Sequence, residues 1–186
     1  FFDMRIGQSV TLTGRCITQH MASKVNEVVT GEYDHKGKSI VYGDTDSVYF
    51  SAFKTLQKEI KEGIIPWTKD SVVALYDKIA DEVNGSFKSF MTRAFHTPST
   101  RGEVIAAGRE LVASKGLFIT KKRYAVLYYD KEGKRADVEG KDGKMKAMGL
   151  DLKRSDTPVF VQDFLSEVLY MVLQGKDEKI VLDRIS

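Results

Sequence analysis

In the stretch SIVYGDTDSVYF, Ser39 to Phe50, two carboxylates stand one residue apart between runs of β-branched and aromatic residues. In extended backbone, residues two apart share a side, roughly 6.5–7 Å from each other at ~3.3 Å of rise per residue. Asp44 and Asp46 can therefore converge on one face, and a tight turn brings them nearer. Two uncompensated carboxylates at that range repel each other, and a divalent cation removes the conflict. Mg²⁺ takes oxygen ligands, usually one or two protein carboxylates with substrate phosphates completing its shell. Phosphoryl and nucleotidyl transfer use that arrangement, with two ions about 3.5–4 Å apart clamping the attacking and leaving oxygens. Asp and Thr are also ordinary turn residues, and a solvent-facing Asp-Thr-Asp tip needs no metal. Spacing alone leaves both readings open.

The elements that must position these acids are readable from periodicity. Ile6, Val10, Ile17, Met21, Val25 and Val28 recur at three, four and seven residues, predicting a helix from about Gly7 to Val29. Gly14 falls inside that stripe at a cost of ~1 kcal/mol and marks a place where another backbone can come close. SIVYG and SVYFSA then form an antiparallel hairpin, because so short a connection cannot cross over to a parallel strand. A second helix is expected from Asp70 or Ser71, either able to cap it, with Val72, Leu75, Ile79, Val83, Phe87, Phe90 and Met91 on its apolar face. Trp67 is assigned to the core with them. EVIAA, GLFIT and RYAVLYYD read as strands, with Gly108 and Gly116 as breaks, and DKEGK as a turn into another short strand. EGKDGK is too polar to be ordered by burial alone. The last helix is placed after Thr157 as cap and Pro158 as first helical residue, ending at Gly175. Helices alternate with antiparallel strands and show no βαβ pattern, so the expected fold class is α+β.

Composition narrows the setting. The chain has 186 residues, 42% hydrophobic and 30% charged, as expected of a globular protein with a core. Its net charge is only +3, but between Lys115 and Lys146 ten Lys or Arg face five Asp or Glu. That local surplus of five is a candidate nucleic-acid footprint or simply a solvated surface. Cys16 is alone, which fits a reducing compartment, and His20, His35 and His96 lack zinc-ligand spacing. No apolar run is long enough to cross a bilayer, so no membrane is expected as a partner. The start, FFDMRIGQSV, has neither signal-peptide order nor an initiator Met, and residues are expected to be missing from the front.

The exact strings then add a resemblance. VYGDTDSVYF resembles motif C, the signature hairpin of family B replicative DNA polymerases, whose pattern is Y-G-D-T-D-S. SVTLTGR, Ser9 to Arg15, resembles the helix that packs behind that hairpin in the family. KKRYA, Lys121 to Ala125, resembles the palm segment that grips the primer strand, and MGLDLKRSDTP, Met148 to Pro158, resembles the passage from palm into thumb. Order and spacing agree over nearly the whole chain, with the lengths between motifs most like those of tailed-phage polymerases. The resemblance implies an antiparallel palm sheet with a catalytic hairpin packed against helices in residues 1–150, and the start of a thumb, entered by a helix, in 151–186. It implies that Asp46 ligates both catalytic Mg²⁺ ions with Asp44 as partner acid, while Tyr42, Gly43, Thr45 and Ser47 shape the turn. Lys121, Lys122, Arg123 and Tyr124 then meet primer DNA, and Lys153 and Arg154 contact the primer backbone at the thumb entrance. With KKRY taken as one strand, Lys121 and Arg123 are expected on opposite faces, so that one braces the palm.

The resemblance also implies what this chain lacks. The family's D-x-x-S-L-Y-P-S carboxylate and its K-x-x-x-N-S-x-Y-G finger helix occur nowhere in the sequence. The expectation is part of a DNA-directed DNA polymerase, inactive alone, with its two-metal site completed by a carboxylate outside the chain. Primer-template DNA, dNTP, the missing N-terminal polymerase part and a sliding clamp are the expected partners, in the cytoplasm of a host cell if the source is a phage. Two alternatives stand beside it. One is a non-catalytic DNA-binding or assembly module derived from a polymerase. The other is an unrelated metal-dependent nucleotidyltransferase or nuclease, which requires a third acid such as Asp3 beside Asp44 and Asp46.

Overall fold

Asp3 opens the first helix by accepting the Arg5 backbone N–H at 2.9 Å, and Gly31 closes it in a left-handed conformation, φ 83°. Between them runs α1, Met4–Thr30, in the computed structural model, which describes residues 3–138, 140–150, 152 and 157–185. The chain divides into two units, Phe1–Arg109 and Glu110–Ser186.

The first unit contains α1, the hairpin β1 (Ile40–Asp44) and β2 (Ser47–Phe50), α2 (Gln57–Lys61), α3 (Lys69–Phe95) and α4 (Ser99–Gly102). Thr68, not Asp70 or Ser71, caps α3: its hydroxyl accepts the Ser71 N–H while the Ser71 hydroxyl accepts the Thr68 N–H. This reciprocal pairing satisfies two donors that a helix start leaves open. Val72, Ile79, Val83, Phe87 and Met91 of α3 are buried, as the periodicity requires. Ile17, Met21, Val25 and Val28 of α1 pack on Ile79, Val83 and Phe87, and the paired Ile40 and Phe50 bring the base of the hairpin into the same cluster. Trp67 is half-buried, its ring 5.4 Å from that of Phe53. EVIAA reaches this core through Ile105 and Ala107 but forms no strand. Its backbone is taken by a side chain instead: Ala107 donates its N–H to Asn84 Oδ1 at 2.7 Å and accepts from Asn84 Nδ2 at 2.8 Å.

The second unit is a four-stranded antiparallel sheet of β3 (Leu111–Thr120), β4 (Arg123–Lys131), β5 (Lys134–Arg135) and β6 (Lys144–Met148), followed by α5 (Val159–Gln174) and α6 (Glu178–Ile185). β4 pairs β3 on one side and both β5 and β6 on the other. Gly116 does not interrupt β3; the Phe118 ring and Val126 fill the space its side chain would need. β6 begins at the last residue of the polar EGKDGK stretch because Met145 and Ala147 alternate there with Lys144 and Lys146, giving one apolar side. That side meets Ala125, Leu127, Leu169, Tyr170 and Leu173 in the core of this unit. Pro158 is the N-cap of α5 rather than its first residue, and Gly175 ends the helix with φ 73°. The fold class is α+β, with every strand pair antiparallel. No helix among the described residues is long and apolar enough to cross a membrane.

Candidate functional site

The Asp-Thr-Asp stretch is a two-residue turn entered by one of its acids. Asp44 is the last residue of β1 and pairs with Ser47, leaving Thr45 and Asp46 as the loop. Neither loop residue has a positive φ, so the hairpin does not use the primed turns that match the twist of paired strands. Asp44 is half-buried and Asp46 exposed. Asp44 Oδ1 accepts the Thr45 N–H at 2.8 Å and its hydroxyl at 3.2 Å, a local bond that holds the carboxylate against the turn. Val41 is an extra residue opposite the Phe50–Tyr49 step, a bulge that rotates the strand ahead of the acids.

Tyr42 faces Tyr49 across the hairpin with ring centroids 6.0 Å apart. Gly43 lies inside β1 opposite Val48, not in the turn itself. A Cβ there would meet only Ser47 O at an ordinary 3.7 Å, so nothing in the described residues demands a glycine. It leaves the exposed side of β1 bare between Val41 and Thr45.

Helix α1 grips this hairpin at both ends. At the tip, the Thr18 hydroxyl lies 2.9 Å from Thr45 O and 3.0 Å from Gly14 O, with one proton to donate between two carbonyls. At the base, fully buried Asn26 accepts both the N–H (3.2 Å) and the hydroxyl (2.7 Å) of Ser39 and donates to Glu32 O at 2.8 Å. Sequence reasoning missed Thr18 and Asn26, since a polar residue on an apolar helical face gives no periodic signal of its own.

Two carboxylates on such a turn are hard oxygen donors, the chemistry a Mg²⁺ ion prefers, so the residues present fit that ion as part of a ligand set. Asp3 does not join them; its carboxylate caps α1 and pairs with Arg5 at 2.7 Å. Among the described residues no three His, Cys, Asp or Glu side chains come together to hold a metal.

In the second unit, KKRY is not one strand. Lys121 and Lys122 form the β3–β4 turn, and Arg123 and Tyr124 begin β4. The expectation that Lys121 and Arg123 point to opposite faces falls with it, and residues two apart in a strand would share a face in any case. Lys121, Lys122 and Arg123 are exposed. Lys122 has φ 62°, a left-handed backbone that costs a non-glycine residue about 1–3 kcal/mol and collects at functional sites. Arg123 donates to Gly149 O at 3.0 Å. Tyr124 is only 4% exposed and stacks on Phe118 at 5.6 Å. Pairing of Tyr124 with Met148 sets the KKRY and MGL segments side by side, and Gly149, with φ 64°, lets its backbone pass beneath Lys122 O. Lys153 and Arg154 lie outside the described residues.

The basic surplus is partly spent inside the unit. Lys146 pairs with Glu110 at 2.6 Å, Arg135 with Asp137 at 2.8 Å, and the Lys115 ammonium lies against Gly175 at the end of α5. Lys121, Lys131, Lys134, Lys141 and Lys144 remain at the surface.

Residues 103–185 match the model of the family described as DNA polymerase family B. Over 94% of its length the chain is 33% identical to a DNA-directed DNA polymerase of Escherichia phage RB69, and over 97% it is 29% identical to that of Enterobacteria phage T4. It is also 27% identical, over 94% of its length, to a DNA polymerase delta catalytic subunit of Oryza sativa subsp. japonica, covering 13% of that protein. It spans 20% of the length of each phage relative.

Proposed function

The chain belongs with the family B DNA polymerases, and we propose on that premise that it is one part of a DNA-directed DNA polymerase, comprising palm residues in 1–150 and a thumb entrance in 151–186. The observation that carries the reading is the Asp-Thr-Asp hairpin held at tip and base by one helix. Asp46, with Asp44 beside it, would hold the Mg²⁺ ions. When bound, those ions supply the positive charge that offsets charge developing on the oxygens of a transferring phosphate.

The chain's own residues prepare the place. The Thr18 and Asn26 bonds restrain the hairpin before any substrate arrives, and carboxylates held in advance need no reorganisation when they act. Thr45 keeps Asp44 turned to the loop, and Ser47 stands opposite it. Gly43 and its bare side of β1 give a primer end room to approach. Lys121 and Lys122 project from a turn and suit phosphate contacts, which carry no sequence information directly and so serve an enzyme that copies any sequence. Arg123 and Tyr124 brace that turn from below, one through Gly149 O and the other through Phe118. Lys153 and Arg154, outside the described residues, would contact the primer backbone.

Primer-template DNA and dNTPs are the substrates on this reading. The remaining acid and the nucleotide-receiving groups would come from polypeptide carrying D-x-x-S-L-Y-P-S and K-x-x-x-N-S-x-Y-G, so the chain alone is inactive. A sliding clamp and a host-cell cytoplasm complete the setting. The test is reconstitution: the chain is mixed with that polypeptide and primer extension is measured. Asp46→Asn keeps the shape and removes the charge, and extension should fall at least about a hundredfold while primer-template binding holds. Extension by the variant within a few-fold of wild type would refute the assignment.

A further inference from the structure

Trp67, the one tryptophan in the sequence, stands outside the buried cluster that α1 and α3 build. Its ring packs instead on Phe53, with centroids 5.4 Å apart and planes inclined at 56°, and Phe53 is itself 40% exposed. A tilted pair of that kind leaves ring surface facing solvent. Ile64, in the loop that leads to Trp67, is 67% exposed.

The backbone that carries these rings is fixed. Ala52 is buried and donates its N–H to the Tyr76 hydroxyl, and Phe53 donates to Ser51 Oγ, both at 3.3 Å. Gly63 turns the chain with φ 72°, after which Ile64 and Ile65 donate to Glu59 O at 2.9 and 3.3 Å. The reciprocal Thr68 and Ser71 bonds then hold the residue after Trp67 at the head of α3. Exposed rings on so braced a loop lose little freedom on meeting a partner.

Charge says which partner fits. Between the two rings in sequence lie Lys54, Lys58 and Lys61, all exposed, against Glu59 and Glu62. Glu59 turns one carboxylate oxygen into the protein, and Glu62 lies 4.0 Å from Lys58. Lys54 and Lys61 are left for a partner that brings negative charge. Aromatic faces beside lysines match a nucleic acid whose bases are unpaired, because every base has a face to stack and every linkage a phosphate. A duplex keeps its base faces stacked inside and offers these rings nothing.

We propose that Phe53 and Trp67, with Lys54 and Lys61, form a stacking platform for single-stranded DNA. Phe53 follows Asp46 by seven residues, with β2 between them, so it lies within about 25 Å of that acid. That the strand is the unpaired template rests on the reading given under Proposed function; the binding itself does not.

The whole chain is titrated with an oligo(dT) of about twelve nucleotides while Trp67 emission is followed, since no other tryptophan contributes. Emission should be quenched to saturation. Phe53→Ala and Phe53→Leu, the second keeping bulk without a ring, should each weaken binding at least about tenfold with circular dichroism unchanged. Lys54→Ala and Lys61→Ala should each make the slope of log affinity against log salt shallower by about 0.7. A duplex of the same length should leave emission unchanged. Wild-type affinity in both Phe53 variants, or oligo(dT) binding without quenching, overturns the platform. The polymerase reading then still stands or falls on primer extension by the reconstituted enzyme. Equal quenching by the duplex overturns the choice of a single strand. Emission that responds only as the chain self-associates overturns the proposal in favour of a second copy.

Discussion

His20 shows how a single side chain can be tied to one chemical form. Ser86 gives its hydroxyl proton to Val83 O at 2.6 Å, so it receives from His20 Nε2–H at 2.9 Å. Nδ1 is then the acceptor for the Tyr33 hydroxyl at 2.7 Å, and the ring lies flat on Phe90 with centroids 3.9 Å apart. Burial pushes the imidazole below its ordinary pKa, with Lys24 and Arg93 acting in the same direction and Glu27 opposing them. The folded chain thus keeps His20 neutral while the unfolded chain takes up a proton near pH 6.5. Below that value the unfolded state binds more protons, so His20's contribution to stability is present above it and is lost as pH falls towards the folded pKa. Melting temperature measured from pH 7.5 to 5 should therefore drop more steeply for wild type than for His20→Gln. Parallel curves would refute this. The sequence excludes His20 from a zinc site by spacing, but its partners Tyr33 and Ser86 are thirteen and sixty-six residues away and leave no local trace.

At the scale of elements, the hairpin depends on its clamp more than on its own turn. Asn26 is enclosed so closely that a side chain at Gly37 would run into its amide. Asn26→Ala would leave Glu32 O and both donors of Ser39 without this partner, at a cost of about 1–3 kcal/mol for buried groups. Urea unfolding should show that loss, and hydrogen exchange should show it concentrated at Ser39 to Tyr42. A loss below about 0.5 kcal/mol, the scale of a surface substitution, would contradict the clamp. The strongly marked elements were legible: α1 and α3 stand where their apolar spacing places them, the hairpin where its β-branched and aromatic runs flank a turn, and α5 between Pro158 and Gly175. The misses have physical causes. EVIAA has strand composition, yet Asn84 takes the backbone bonds of Ala107. β6 is short and lysine-rich, and only the neighbouring β4 and α5 make its Met145 and Ala147 side worth burying. The turn at Asp44–Thr45–Asp46 stands where its residue types place it, with Asp44 at the strand end and Asp46 in the loop.

For the molecule as a whole, charge is best judged after internal pairing. Of the ten cations between Lys115 and Lys146, four are held by Glu110, Asp137, Gly149 O and the end of α5, and the proposed reading assigns phosphate contact to the exposed β3–β4 turn. Each neutralised phosphate contributes about −0.9 to the slope of log affinity against log salt on duplex DNA. Lys121→Ala and Lys122→Asn, the latter able to keep a left-handed backbone, should each make the primer-template slope shallower by about 1. Unchanged slopes would move the interface elsewhere. The candidate site was legible in the sequence only through exact strings, because spacing alone cannot separate a metal hairpin from a solvent-facing turn; its two clamps became visible only in the fold. The central claim is that this chain holds part of a polymerase metal site and not all of it. Primer extension in Mg²⁺ by the purified chain, with and without the polypeptide bearing the missing carboxylate, tests it most directly. The account predicts extension only in the mixture, lost with Asp46→Asn; extension by the chain alone, abolished by Asp46→Ala, would contradict it.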